Sequence, residues 1–375
     1  MREVRQAMTI GASAAPRPTT RPAEPSGTPE SLVQARLDWV SQLPSSSAPG
    51  FVYLAGACRG VPVGGGGSEM AEAAGRLAGE TAEVLAQAAE PVATALPGDP
   101  AIDTLWTTFA VPLRVAAVAI VSSAAVGVPA ASIFRGGRAE AERASQAPPA
   151  SLGLAAGPDR ESARLAAVLE LVERDAAARW WYEDARACQL DLALVASVAS
   201  DLSSLRRGAA WPRRTVFLEL GSATGLPVVC ALSCDADGRG LAFGFKAAVD
   251  RVVAARGALM ELLQMEIGLE LARLRVARGG PAEGDRGPLA RAALAPEHFP
   301  AFAALPPAST PMPVAPGFAA VAAHLACRGL PVTVADLPRS PVGLAVAKAF
   351  MPGLRPLPGP GPVEEGAPGA VAPLM

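Results

Sequence analysis

The chain has 375 residues, of which 50% are hydrophobic, and its formal net charge is -2 at pH 7. This composition excludes a wholly disordered protein, because it offers enough apolar area to bury a large core. Lysine and arginine form no dense run, whereas a nucleic-acid-binding surface needs clustered positive charge. We therefore expect a globular protein without a nucleic-acid partner.

The N-terminal residues, 1–28, are rich in Pro, Ala, Thr and Arg and lack the apolar core of a signal peptide. We predict a disordered tail here and a cytoplasmic protein. The sequence Thr28-Pro29-Glu30 is typical of a helix start, which predicts a short helix to about Leu43.

The next elements are a predicted strand over 51–57 and a helix from Glu69 to Gln87. Between them lies a glycine run, 64–67, which could let the backbone approach phosphates. It lacks the Lys-Ser/Thr of a phosphate-binding loop, and the simpler interpretation is a flexible turn.

Residues 109–134 are mostly apolar and invite comparison with a membrane span. Pro112, Arg114 and Pro129 interrupt them, and the many alanines and serines weaken any drive to insert into a bilayer. We predict buried strands in this stretch and no association with a membrane.

The segment from Ser151 to Trp181 concentrates charge on one predicted helix. An apolar stripe with helical spacing runs along it, and Asp159 is a plausible N-cap. Helical geometry places Glu173 at the border of this stripe, where it can face a cleft. The stripe residues are Leu165, Val168, Leu169, Val172 and Ala176, and the charged cluster is Glu170, Glu173, Arg174 and Asp175.

Later segments repeat this arrangement. Residues 216–234 read as paired strands around a glycine-containing turn, and 243–276 as one long helix. Two further strands are predicted over 329–337 and 344–350. Three times, then, a glycine-containing segment precedes a helix with two carboxylates, or a carboxylate and an amide, three residues apart. These pairs are Glu80 with Glu83, Glu170 with Glu173, and Glu261 with Gln264.

This repetition predicts an α/β (α+β) fold in which helix faces converge on a shared site. Paired carboxylates suit Mg²⁺, which takes hard oxygen ligands and leaves positions for nucleotide phosphates. A solvated helix face produces the same spacing, so the pairs alone leave both interpretations open. We identify no catalytic residue, because the five scattered cysteines read as buried thiols, and His298 and His324 stand in no motif.

Taken together, these motifs resemble the YcaO family. The segment SLGLAAGPDRESARLAAVLELVERDAAARWW is similar to its signature, a Gly-rich loop before a Glu-x-x-Glu-Arg helix. Further similar segments follow in the family's order: GGGGSEMAEAAGRLAGETAE, VPAASIF, ALMELLQ and MPGLRPL. The resemblance covers about residues 50–356.

The resemblance implies an enzyme that uses ATP and Mg²⁺ to phosphorylate backbone amide oxygens of a ribosomally made peptide. In azoline-forming members this cyclodehydrates Cys, Ser or Thr to thiazoline or oxazoline, as in the biosynthesis of thiazole/oxazole-modified bacteriocins, whereas other members form thioamides. The implied ATP and Mg²⁺ ligands are Glu80, Glu83, Glu170, Glu173, Arg174, Glu261 and Gln264, with Mg²⁺ held by the first four.

Several residues depart from the family pattern. Arg76 stands where a Ser is usual, Val84 where an Arg is usual and Ser162 where a Glu is usual, and the first glycine run lacks its common Lys or Arg. Lys348 also stands where Arg is common. These departures leave an alternative open, namely a catalytically degenerate YcaO domain that acts as a peptide-binding scaffold or partner subunit.

The predicted organisation is a disordered tail over 1–28, one YcaO-like domain over 29–356 and a Pro-rich C-terminal tail over 357–375. The resemblance implies a ribosomal precursor peptide as substrate. We also expect a separate leader-peptide-binding partner protein, since the region before residue 50 is too short for such a domain. A homodimer is left open.

Overall fold

The computed structural model describes residues 33–107, 112–144, 148–183, 187–208, 213–280, 282–294, 306 and 313–354. The two predicted tails, 1–28 and 357–375, lie outside these residues, as does His298. Across the described residues, no helix combines the length and apolarity needed to cross a bilayer.

Strands and helices alternate along much of the chain. The strands are β1 (Trp39–Leu43), β2 (Val52–Cys58), β3 (Val61–Gly67), β4 (Arg114–Ala119), β5 (Ala124–Pro129), β6 (Leu154–Gly157), β7 (Ala187–Gln189), β8 (Arg214–Leu220), β9 (Val228–Cys234), β10 (Ala242–Ala247), β11 (Thr333–Leu337) and β12 (Ala345–Phe350). The helices are α1 (Met70–Gln87), α2 (Pro100–Trp106), α3 (Gly137–Glu142), α4 (Arg160–Glu183), α5 (Leu192–Arg206), α6 (Arg251–Ala277), α7 (Arg286–Ala292) and α8 (Phe318–Cys327).

The described strands form three antiparallel sheets with the orders β1-β2-β3, β10-β9-β8-β7 and β5-β4-β11-β12-β6. In each sheet the edge strand nearest the long helices leads directly into one of them. Thus β3 precedes α1, β6 precedes α4 and β10 precedes α6. This mixed α/β architecture confirms the predicted fold class and the threefold repetition of strand and helix.

The main apolar core lies between α4 and the sheets that flank it. Val168 and Val172 of the predicted stripe are fully buried there, against Leu232 of β9 and Ala347 of β12. The stripe therefore does what its spacing predicts, and it fixes the rotation of α4 so that Glu170 and Glu173 stand beside the core.

The helix predicted to reach Leu43 is wrong in its second half, because Trp39–Leu43 form β1 and pair with β2. The glycine run, 64–67, is not a turn but the end of β3. The single helix predicted over 243–276 begins only at Arg251, since Asp250 caps it with hydrogen bonds from the N–H groups of Val252 and Val253. The preceding residues form β10.

Other predictions agree with the structure. The paired strands over 216–234 are β8 and β9, and the two late strands are β11 and β12. The apolar stretch 109–134 contains β4 and β5 as predicted, but β4 buries only alternate residues. Asp159 caps α4 by accepting from the N–H of Ser162 at 2.8 Å.

Two glycines allow edge strands to lie unusually close to the following helices. A Cβ added at Gly65 of β3 would stand 2.1 Å from the Ala73 carbonyl oxygen of α1. At Gly244 of β10 it would stand 2.3 Å from the Ala258 carbonyl oxygen of α6. Because rigid backbone lies at both positions, a side chain there would push strand and helix apart.

We expect Gly65→Ala to destabilise the protein by about 1–3 kcal/mol, since the added methyl group overpacks a strand-helix contact. Urea denaturation followed by circular dichroism measures this loss. The matched control is Gly75→Ala on α1, where an added Cβ meets nothing within 4 Å; it should be neutral or stabilising by about 1 kcal/mol. Equal effects of the two substitutions would contradict the close-packing argument.

Candidate functional site

The structure brings the predicted carboxylates of three helices together. Burial raises the pKa of Glu83 and of Glu261, and electrostatic repulsion adds to it, from Glu170 and Glu80 at Glu83 and from Glu173 at Glu261. Glu80 and Glu83 lie one turn apart on α1, whereas Glu83 and Glu170, and Glu173 and Glu261, lie on different helices. The carboxylates of Glu80 and Glu83 on α1, Glu170 and Glu173 on α4, and Glu261 on α6 therefore form one group, which we call the carboxylate cluster.

Backbone N–H groups hold four of these carboxylates in place. The donors all belong to β3, β6 and β10, which are edge strands among the strands that the structure describes, so their outer N–H groups are available to the helices. Gly64 donates to Glu80 Oε2 at 2.6 Å, Ala156 to Glu83 Oε1 at 2.9 Å, Ala247 to Glu173 Oε2 at 3.3 Å, and Phe245 to Glu261 Oε2 at 2.8 Å.

These contacts link the three strand-helix units in sequence. Glu83 of the first unit binds β6 of the second, and Glu173 of the second binds β10 of the third. Gln264 of the third unit returns to the first, where its amide packs against Gly66 of β3; a Cβ at Gly66 would stand 2.7 Å from Gln264 Nε2. Of the third predicted pair, Glu261 therefore joins the other carboxylates, and Gln264 contacts Gly66 of β3.

Three cations face the carboxylate cluster. Arg174 Nε lies 3.8 Å from Glu170 Oε1, and its Nη2 lies 3.8 Å from Glu173 Oε1. Lys246 Nζ lies 3.7 Å from Glu173 Oε2. Lys348 is completely buried, donates to the backbone carbonyls of Ala150 and Leu152, and lies 4.7 Å above the Trp106 ring.

The cluster reaches the protein surface at one of its members. Glu80 is exposed, whereas Glu83, Glu170 and Glu261 are partly buried and Glu173 is buried. Glu80 thus touches solvent although protein surrounds most of its carboxylate. Its pKa is raised to about 7, mainly because burial removes water from the charged form, and the hydrogen bond from Gly64 only partly opposes this shift.

The same cause acts on the other members of the cluster. Burial first, and then the charges of Glu170 and Glu80, raises the pKa of Glu83 well above its ordinary value. Burial likewise raises the pKa of Glu170 and Glu261, and Arg174 and Lys246 lower both in part. Burial lowers the pKa of Lys348 to about 7. The nearby cations therefore leave the repulsion among the carboxylates incompletely compensated.

The chemistry of these donors suits a hard divalent cation. No three His, Cys, Asp or Glu side chains among the described residues are already gathered tightly enough to hold a metal ion. However, each anchoring hydrogen bond engages one carboxylate oxygen and leaves the second for another partner. Mg²⁺ is commonly held by one or two carboxylates together with phosphate oxygens, so this donor set fits the ion with a nucleotide.

Other residues singled out in the sequence have partners of their own. Asp175 is buried and accepts from Arg179 Nε. His324 contacts the Thr224 carbonyl oxygen at 2.8 Å. All five cysteines are free thiols; Cys58, Cys230 and Cys234 are buried as predicted, Cys188 is half-buried, and Cys327 is exposed, contrary to the prediction.

The residues that depart from the family pattern have structural partners of their own. Arg76 pairs with Glu72 on the surface of α1 at 2.8 Å. Val84 packs against the apolar core beneath the same helix. Ser162 lies in the first turn of α4, where Asp159 accepts from its N–H.

Sequence reasoning missed the roles of Lys246 and Lys348 in this site. They are the only two lysines in the chain, and both stand beside the carboxylate cluster. The signal in the sequence that singles them out is the rarity of lysine in this chain. The backbone anchors have no such signal, because every residue except proline carries the same N–H group.

The family comparison supports the predicted resemblance. Residues 71–355 match the family model described as YcaO cyclodehydratase, ATP- and Mg²⁺-binding, and this range contains all seven predicted site residues. Among proteins with curated descriptions, no sequence matches the chain.

Solved structures share the fold. A heterocyclase in complex with substrate and cofactor is 19% identical with a TM-score of 0.67, and the match covers 91% of this chain and 55% of the heterocyclase. YcaO from Methanopyrus kandleri, bound with AMPPCP and Mg²⁺, is 20% identical with a TM-score of 0.64, and 87% and 88% of the two chains are covered. A chain of the E. coli microcin synthetase McbBCD complex is 14% identical with a TM-score of 0.60, with coverage of 84% and 89%.

The family match and the shared fold confirm the predicted resemblance. ATP and Mg²⁺, the predicted cofactors, are those by which the family is described. The chain belongs to the YcaO family of cyclodehydratases.

Proposed function

We propose that this protein is an ATP- and Mg²⁺-dependent enzyme that modifies backbone amides of a ribosomally made peptide by cyclodehydration of Cys, Ser or Thr. The observation that carries this proposal is the carboxylate cluster. Three helices bring five glutamates into one partly exposed group, although their burial and mutual repulsion are unfavourable without a bound cation. Such an arrangement is typical of a binding site and costly for a purely structural one.

In this proposal Glu80, Glu83, Glu170 and Glu173 hold Mg²⁺, and Arg174, Glu261 and Gln264 orient the nucleotide. ATP supplies the phosphoryl group that activates a peptide amide oxygen, and Mg²⁺ neutralises the phosphate charge. The substrate's own Cys, Ser or Thr side chain forms the ring, so the protein needs no nucleophile. Cys230 lies near Glu261, but burial raises the pKa of its thiol well above the ordinary value, which makes it poorly suited to act as a nucleophile.

The structural relatives support a peptide substrate and a protein partner. The microcin synthetase McbBCD is a complex, and one of its structures contains pro-MccB17. We propose that this chain receives a precursor peptide through a separate leader-binding protein. A cytoplasmic location belongs to the same proposal, since ATP is available there. The homodimer stays a prediction.

A second candidate is a non-catalytic YcaO subunit that binds peptide or supports an active partner. The observation that favours it is Lys246, whose ammonium lies 3.7 Å from Glu173 and partly neutralises the cluster without a metal. The departures at Arg76, Val84 and Ser162 point the same way. Thioamide formation is a third outcome, and it would exchange oxygen for sulfur rather than remove water.

We expect the parent protein to bind ATP with Mg²⁺ in isothermal titration calorimetry. Glu173→Ala and Glu80→Ala should each weaken this binding by about tenfold or more, because each removes a charged ligand. Glu72→Ala is the matched control, since Glu72 lies on the surface of α1 and pairs with Arg76.

A parent protein without nucleotide affinity would exclude the enzyme. If binding is observed, phosphate release with a Cys/Ser/Thr-rich precursor peptide separates the enzyme from the scaffold. Mass spectrometry of that peptide then distinguishes loss of water from exchange of oxygen for sulfur.

The carboxylate cluster also predicts how stability depends on pH. The ordinary glutamate pKa is 4.5, whereas burial raises the pKa of Glu80 to about 7. Between these values the folded state binds more protons than the unfolded state, so the contribution of Glu80 to the free energy of unfolding falls as pH rises. We expect Glu80→Gln to melt at a higher temperature than the metal-free parent at about pH 8 and at a similar temperature at about pH 5.

Differential scanning calorimetry measures this difference, and Glu72→Gln is the control that should show none of it. Added Mg²⁺ should raise the melting temperature of the parent at about pH 8, and much less at about pH 5, where the carboxyl groups are protonated. A parent that is more stable than Glu80→Gln at the higher pH would contradict the repulsive cluster.

A further inference from the structure

Lys246 differs from the other two cations that face the carboxylate cluster. Arg174 lies between Glu170 and Glu173, and Lys348 is fully buried with two carbonyl acceptors. By contrast, the Lys246 side chain is 47% exposed and lies 3.7 Å from one carboxylate oxygen, that of Glu173. Lys246 is therefore the cation that can most easily exchange its present partner for a ligand.

The aliphatic part of the Lys246 side chain packs closely against α6 at Gly257. A Cβ added at Gly257 would stand 2.5 Å from Lys246 Cγ and 3.0 Å from its Cδ. The glycine therefore opens a channel for the aliphatic stem on the helix surface. The positive charge of the Lys246 ammonium lowers the pKa of Glu83, Glu170 and Glu261, which lie on three different helices.

On its other side Lys246 lines a cavity of about 540 Å³. Two arginines also line this cavity, but surface carboxylates hold both: Arg76 pairs with Glu72, and Arg256 pairs with Asp201 at 2.9 Å. Lys246 thus stands between an open cavity and the carboxylate cluster.

A divalent cation on the cluster would change the surroundings of Lys246. It would occupy the carboxylate oxygens and repel the ammonium, which would then need another anion within its reach. The phosphates of a metal-bound nucleotide are such an anion, and a flexible lysine is well suited to contact them as a point charge.

We propose that Lys246 binds the terminal phosphate of Mg²⁺-bound ATP. This inference rests on the proposed function and adds a phosphate-binding residue to the seven predicted from the sequence. It also gives Lys246 two successive partners, Glu173 before the nucleotide binds and a phosphate oxygen afterwards.

The test compares Mg²⁺-ATP with Mg²⁺-ADP by isothermal titration calorimetry on the parent and Lys246→Met. We expect the substitution to weaken ATP binding by about tenfold and ADP binding by less than about twofold, since only ATP carries the contacted phosphate. Lys246→Arg should retain most of the preference for ATP. The matched control is Arg256→Met, which removes another exposed cation from the same cavity and should leave the ratio of the two affinities unchanged.

The two proposals fail in different ways. A parent that binds neither nucleotide overturns the proposed function and this inference with it. If the parent binds ATP but Lys246→Met weakens ATP and ADP binding equally, or weakens neither, the inference is overturned and the proposed function is not. Tighter ATP binding by Lys246→Met would also overturn it, because Lys246 would then compete with the metal for the carboxylates.

Discussion

The outer N–H groups of three edge strands are the constraint on which this site depends. An edge strand presents donors that no neighbouring strand accepts, and β3, β6 and β10 all end their sheets beside a long helix. Glutamates on the helices accept from these donors. The hydrogen bonds fix the carboxylates, but they also gather like charges where water is partly excluded. The same hydrogen bonds that satisfy the edge strands therefore place the glutamates where burial raises their pKa values.

This arrangement bears on the proposed function of a chain with little charge. Phosphoryl transfer depends on positioning and charge neutralisation rather than on a protein nucleophile. In that proposal the backbone hydrogen bonds position Glu80, Glu83 and Glu261. The fixed carboxylates and the two nearby lysines supply charges of both signs in one group.

Much of this fold follows from periodicity in the sequence. The apolar stripes of α1 and α4 are long enough to identify both helices. The recurring pairs of polar residues three apart locate the five glutamates of the carboxylate cluster. The segment from Phe243 was predicted as helix because a short apolar run directly before a helix is compatible with strand or helix. Only the capping Asp250 marks the boundary between them. The close approach at Gly244 and the contacts of Lys246 depend on tertiary packing, which a single sequence does not display.

The links between the strand-helix units also bear on how the protein folds. Glu83 ties the first unit to the second and Glu173 ties the second to the third, while Gln264 contacts Gly66 of the first. A chain with only two sheets docked would hold at most two of the helix faces together and would leave the carboxylate cluster incomplete. A complete carboxylate cluster therefore requires that all three sheets have reached their final places.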